Sequence, residues 1–444
     1  MEGLGRNRLS PVERMERYGL RGIRAARGLL PPRRLRLRLL AHSRRIVLAI
    51  LPLGVLLGLV MTGLLVGLEN HLAPFLDRLF WRLGLICILP GLALVTATLW
   101  LAWTKTGQVS LFEDLDLAKK SPYEAFPFWK SMAKVVGCTF TIGLGGSTGL
   151  EGPAKWLGAA VGVQFHRFIH WLALRWRPFR RLKVQPLTMV VAGAAAAVAI
   201  VFRAPLSGSL FAVEHDGHVA HEELVPSVVA AASAYMVWVA IEGPAPLIPL
   251  VKTYHLETKE LLWALPVGLI CGLGASLFLT IRFGLTRFLS RYPLVWRGLI
   301  GGIGLALLAM PGHFLFHDLP ITQRGGLELI LHVLGGGETH KAALLFSGLK
   351  IMATAMTLAA GGVGGMWICT VSMGAALGAF LQGWMMPQTP GLIPMMAGVA
   401  FAGAVHEVLL VPVVFLAETT GDPALVVPGL LAATVALLVK REHL

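Results

Sequence analysis

Of the 444 residues, 55% are hydrophobic and only 14% charged, whereas a soluble domain carries about 25% charged residues. The formal net charge is +15. This composition excludes a soluble enzyme or binding module and describes a polytopic integral membrane protein.

The basic excess sits at the front. Residues 1–45 hold thirteen Arg and three Glu, a formal +10. No aromatic interleaving or binding fold accompanies the run, so no nucleic-acid partner is expected. The run fits a cytoplasmic tail obeying the positive-inside rule and touching anionic lipid. No small-residue cleavage site follows the first apolar run, which argues against a signal peptide. Apolar stripes such as Tyr18-Gly19-Leu20 suit a helix lying in the membrane interface.

The segment 46-IVLAILPLGVLLGLVMTGLLVGL-68 is uncharged throughout and long enough for one crossing. Further apolar spans follow at 84–103, 187–202, 224–241, 261–281, 295–310, 342–360, 366–386, 391–405 and 424–439. With 51 Gly and 26 Pro, many spans are interrupted. Broken helices at membrane depth are tolerated where backbone lines a cavity or is buried in protein, as in a channel or transporter.

The interruptions recur. Segment 149-GLEGPAKWLGAAVG-162 aligns without gaps on 365-GMWICTVSMGAALG-378 at an offset of 216. Gly145-Gly146 falls on Gly361-Gly362 at the same offset. A second echo links 192-AGAAAAVAIVFRAPLSGSLFAVEHDG-217 with 397-AGVAFAGAVHEVLLVPVVFLAETTGD-422, each closing on a Glu (Glu214, Glu418) and a Gly. Two repeats are therefore expected, over 46–241 and 242–440, with a site at their interface.

A helix that starts within the membrane leaves its first N–H groups without partners and adds partial positive charge there. Preceding glycines allow a ligand close to the backbone, and Pro in the first turn removes only an orphan N–H. Gly149 to Pro153 followed by a helix therefore reads as a backbone anion cradle, and 361-GGVGGMWIC-369 reads as its second half. Glu151 competes with an anion there. Ionised, it occupies the cradle; protonated or swung away, it opens the path. The plainer alternative is a helix-capping Glu.

No cofactor or metal motif stands out. His221-Glu222-Glu223 and His406-Glu407 each lack the second His of an HExxH protease. Cys87, Cys138, Cys271 and Cys369 form no CxxC pair and read as buried free thiols. No catalytic constellation appears, so an enzyme is not expected.

Several of these segments match a known pattern. The run 149-GLEGP-153 is similar to the G-[KR]-E-G-P motif of the CLC family of chloride channels and chloride/proton antiporters. The runs 192-AGAAAAVAIVFRAPLSGSLFAVE-214, 364-GGMWICTVSMGAALG-378 and 416-LAETTGD-422 resemble further blocks of that family, and the resemblance spans about 45–440. It implies an all-α integral membrane fold of two inverted-topology repeats with many tilted and broken helices. It also implies a homodimer with one pore per subunit in the inner (plasma) membrane, the N-terminus cytoplasmic. Chloride or a similar monovalent anion would be the substrate, exchanged for protons or conducted passively; a non-transporting scaffold or sensor of the same fold is the third reading.

By that resemblance Glu151 is the gate. Gly149, Leu150, Gly152, Gly365, Met366, Trp367 and Ile368 border the anion, and Ser110 in 107-GQVSLFED-114 is the upstream anion contact. A proton path would involve Glu151, Glu214 and His215. The departures are specific: Leu150 replaces a basic residue, Trp367 a Phe, Cys369 a Pro, and His215 the antiporters' inner glutamate. The family's last helix, with its pore-lining Tyr, has no counterpart before the sequence closes at 436-ALLVKREHL-444. His215 is either a titratable relay or a hydrogen-bonded helix-end residue. Arg203 either draws anions to a vestibule or snorkels to the interface. Lys155 either pairs with Glu151 at helical spacing or adds fixed charge to the anion path.

Overall fold

A computed structural model describes residues 33–82, 88–106, 121–182, 184–215, 218–250, 258–317, 319–336, 339–385 and 391–442. The helices in chain order are α1 (Arg33–Val66), α2 (Ala73–Arg82), α3 (Leu89–Thr104), α4 (Pro122–Ala125), α5 (Phe128–Gly143), α6 (Glu151–Arg175), α7 (Pro186–Phe202), α8 (Pro205–Val213), α9 (His221–Glu242), α10 (Thr258–Leu289), α11 (Leu294–Leu315), α12 (Leu327–Gly335), α13 (His340–Ala360), α14 (Trp367–Met385), α15 (Leu392–His406), α16 (Leu410–Thr420) and α17 (Val426–Glu442). A π-helical turn, Gly67–Leu72, joins α1 to α2. A two-residue antiparallel pairing, Glu214–His215 with His218–Val219, precedes α9. Among the described residues seven helices are long and apolar enough to cross a membrane, and four shorter apolar helices accompany them.

Local chemistry sets the breaks. The α7 helix starts on Pro186 and ends where Arg203 turns left-handed at φ 51°; Pro205 then opens α8. The α15 helix stops in the same way, at Glu407 with φ 56°. Thr339 caps the start of α13, and Gly361 ends it at φ 102°, a conformation that favours glycine. The described part of α1 opens at Arg33 and runs on through residue 45, since 33-RRLRLRLLA-41 contains good helix formers and no Gly or Pro. The stripe around Tyr18 lies outside the described residues.

Packing repeats as the sequence does. Gly158 and Gly162 of α6 meet the backbone of α7 at Gly193 and Met189. Their mates Gly374 and Gly378 of α14 meet α15 at Ala397 and Ile393. Gly54 and Gly58 seat α1 on Ala230 and Ala234 of α9, and Gly268 and Gly272 seat α10 on Ala432 and Ala436 of α17. In each case a Cβ would collide with backbone, so helix axes approach more closely than larger residues permit. At Gly91 of α3 and Gly302 of α11, each glycine lies against the other's carbonyl oxygen. The fold is thus all-α, built of two inverted repeats.

Candidate functional site

The two repeats touch at matching glycines. Gly149 donates to Gly365 O and Gly365 donates to Gly149 O, both at 2.8 Å. The loops before them are cross-braced with the same reciprocity. Ser147 N–H donates to Thr357 Oγ1 at 3.2 Å, and Val363 N–H donates to Thr141 Oγ1 at 3.1 Å. Ser147 Oγ and Thr354 Oγ1 are 2.9 Å apart. Immediately beyond the paired glycines, α6 and α14 begin.

Only one of the two helix starts carries a carboxylate. Glu151 is 1% exposed, and Trp367 is its mate in the repeat. Glu151 Oε1 accepts from Ile368 N–H at 3.0 Å, so the side chain of one repeat lies on the helix N-terminus of the other. Its Oε2 has no hydrogen-bond partner among the described residues. A Cβ on Gly149 would lie 2.0 Å from Oε2, and one on Gly365 would lie 2.8 Å from the carboxyl carbon. The carboxylate therefore fills the space that the absent side chains leave. Chemically it stands where an anion would meet unpaired N–H groups and the positive helix end.

A cavity of about 270 Å³ opens onto this point. Gly149, Leu150, Glu151 and Ile368 form its inner end, and Glu69, Arg324 and Glu328 its polar part. Arg324 binds Asp77 at 2.6 Å and faces Glu328 at 3.8 Å. Its left-handed backbone, φ 47°, belongs to a loop held by Lys350. Lys350 is fully buried and donates to Gln323 O at 2.9 Å and Arg324 O at 2.7 Å. Neither Arg324 nor Lys350 was anticipated, although a lone lysine within the apolar run 342–360 is a visible signal of function or close pairing.

The structure brings Gly149, Leu150, Glu151 and Gly152 together with Gly365, Met366, Trp367 and Ile368. Lys155 does not form an ion pair with Glu151. It turns to α8, where Nζ donates to Phe211 O at 3.4 Å and lies 5.2 Å from the Phe211 ring. Arg203 pairs with Glu69 at 3.6 Å and stacks over Trp238. Glu214 sits at another junction. It accepts from Leu409 N–H (2.9 Å), Leu410 N–H (2.9 Å) and Val411 N–H (2.7 Å) at the start of α16. Glu418 of α16 answers it by accepting from Leu206 N–H (3.0 Å) and Ser207 N–H (2.6 Å) at the start of α8. The His215 side chain and Ser110 lie outside the described residues, as does Cys87. Cys138, Cys271 and Cys369 are buried free thiols. Trp367 is enclosed by Phe202, Phe211, Phe415 and His406, with ring centroids at 5.1 to 6.0 Å.

A family profile described as voltage gated chloride channel matches residues 92–441. The voltage-gated ClC-type chloride channel ClcB of Salmonella typhi is 27% identical over 396 residues, covering 86% of this chain and 88% of that protein. ClcB of Escherichia coli is 25% identical over 391 residues, with 84% and 86% covered. Among solved structures, a slow cyanobacterial Cl−/H+ antiporter superposes with a TM-score of 0.75 at 18% identity, over 90% of this chain and 94% of that one. A CLC-type fluoride/proton antiporter gives a TM-score of 0.69 at 23% identity, over 90% and 95%.

Proposed function

Because the chain belongs to the voltage gated chloride channel family, whose members are transporters and channels rather than enzymes, we propose that it moves chloride or a similar small monovalent anion across a membrane in exchange for protons. One observation carries this reading: the Glu151 carboxylate of one repeat is bound to the Ile368 N–H of the other at 3.0 Å. A single group then holds the anion's place when ionised and releases it when protonated or displaced. The anion and the proton thus compete for one position, which is the minimum a coupled exchanger needs. The backbone at Gly149–Gly152 and Gly365–Ile368 forms the cradle. It holds an anion without a full positive charge, so the ion can leave again.

Ser110, Glu214, His215, Lys155 and Arg203 have supporting roles in this reading. Ser110 is the upstream anion contact. Glu214 fixes the start of α16 beside His215, where protons would arrive. Lys155 and Arg203 supply positive potential along the path, each already partnered. The protein would work as a homodimer in the inner (plasma) membrane with its basic N-terminal segment inside, as the positive-inside rule directs.

The test is anion flux in proteoliposomes, with chloride, fluoride, nitrate and sulfate compared. The wild-type protein is expected to show a reversal potential that moves with the pH gradient. Glu151→Ala is expected to keep anion flux but lose that movement. A wild-type reversal potential indifferent to pH makes the protein a passive channel. No flux from either protein makes it a non-transporting member of the fold.

A further inference from the structure

A second cavity, of about 260 Å³, lies behind the gate segment on the side away from α14. The α1 helix, the π-helical turn, α5 and α6 enclose it, with Met61, Val135 and Leu157 among its walls. Three side chains, Leu68, Leu150 and Val201, line both this cavity and the one that contains Glu151. A partition one side chain thick therefore separates the two spaces, and its central member is the residue immediately before Glu151. Pro153, two residues after Glu151, lines the second cavity as well.

The space is unsuited to water. Among the described residues its lining is apolar apart from Cys138, Thr139 and backbone, and Thr139 Oγ1 already donates to Val135 O at 3.1 Å. Buried water needs two to four polar partners, and the described lining does not offer them. An empty void of this size forfeits the dispersion contacts of its whole lining. It is also larger than the ~150 Å³ apolar cavity that takes up benzene. Two of its lining residues, Leu64 of α1 and Leu72 of the π-helical turn, are exposed, so the cavity opens to the surroundings beside them; Leu59, Val60 and Val136 are further exposed apolar residues of α1 and α5. These positions on α1 fall inside the apolar span Val47–Phe80. What surrounds the mouth is therefore hydrocarbon, and the occupant at hand is a lipid chain.

We propose that this cavity is a binding site for one acyl chain of a bilayer phospholipid, and that the bound chain braces the Leu68–Leu150–Val201 partition against the Glu151 cavity. The chain limits how far Leu150, and with it Glu151, retreats from Ile368. The binding site stands by itself; the bracing rests on the reading of Glu151 as the gate.

The test uses the full chain in proteoliposomes containing a phospholipid with a photoreactive diazirine in its acyl chain. Labelled residues are mapped by mass spectrometry. Gly63 lines the cavity, and a Cβ there meets nothing within 4 Å, so Gly63→Leu fills the space from the protein side. Thr139→Leu fills it from α5 and guards against misfolding of the first variant. Labelling of Met61 and Val135 is expected in the wild type. It should fall about fivefold or more in both variants, while labelling of the outward Leu59 persists. Cavity residues labelled no more than Leu59, or equally in all three proteins, overturn the site. So does labelling by a photoreactive free fatty acid but not by the phospholipid. A leucine that cannot leave braces the partition permanently, so chloride efflux from the same vesicles is expected to fall severalfold in both variants; efflux unchanged or raised with labelling lost overturns the bracing. If the wild type shows no efflux, the gate reading fails, while the labelling result still decides the site.

Discussion

Glu151 is ringed by positions where a methyl group is already too much. Gly365→Ala would place a carbon 2.7 Å from Gly152 N and 2.8 Å from the Glu151 carboxyl carbon. Backbone cannot yield there without parting the Gly149–Gly365 pair. The carboxylate is then expected to be displaced, and Gly365→Ala should resemble Glu151→Ala in flux, at a stability cost of about 1–3 kcal/mol. Wild-type pH coupling in Gly365→Ala would contradict this. Lys350→Met tests the loop that rests on Ile368. Its removal takes the lysine donor from two partly buried carbonyl groups, of which Arg324 O keeps only the weak Cys369 thiol, and a loss of about 1–3 kcal/mol is expected from the cost of under-satisfied polar groups. The apparent unfolding temperature in detergent is the readout. At this scale the sequence revealed the cradle and the carboxylate, because glycines beside a charged residue are a local pattern. It did not reveal which neighbour each long side chain chooses. Lys155 has the spacing to reach Glu151, but the carbonyl at Phe211 is also within reach, and only the packing of α8 decides.

At the scale of elements, α8 and α16 are locked to each other by an exchange of carboxylates. Glu214 closes α8 and holds the start of α16, while Glu418 lies in α16 and holds the start of α8. Each pair joins a carboxylate to a positive helix end through charge-assisted hydrogen bonds. Glu214→Gln and Glu418→Gln are each expected to cost about 1–2 kcal/mol. Both act on the same helix pair, so the double variant should lose less than the sum, with a coupling of about 0.5 kcal/mol or more. Strict additivity in thermal unfolding would show the two junctions to be independent. The helices themselves were unevenly legible. Spans without polar residues stood out, as at α14, which runs Trp367–Met385 against an expected 366–386. The α6 helix was not marked as a crossing because Lys155, Gln164 and its histidines break the apolar run, yet it continues to Arg175.

For the whole molecule, the repeat was readable because both copies need glycine at the same close approaches. Gly158, Gly162, Gly374 and Gly378 are fixed by helix contact rather than by chemistry, so they keep their register at an offset of 216. The reciprocal hydroxyl braces were hidden, since Thr141 and Thr357 each act on a loop of the opposite copy. The whole-molecule prediction concerns that axis. Thr141→Val and Thr357→Val remove equivalent bonds and should lower stability by similar amounts, about 1 kcal/mol each. Their effects on flux should differ, because only one of the two helix starts beyond the loops carries a carboxylate. Equal flux phenotypes would argue against Glu151 as the determinant.

A frame related to itself by a half-turn has no front and no back. Inverted in the membrane, the pair Gly149–Gly365 and the helix starts beyond it would present the same face. The chemistry of the two copies is nonetheless unequal at Glu151 and its mate Trp367: one copy extends an acid across the axis, and the other answers with an indole packed among aromatic rings. On the proposed reading of Glu151 as the gate, this inequality tells the two ends of the path apart, although the two copies differ at most other aligned positions as well.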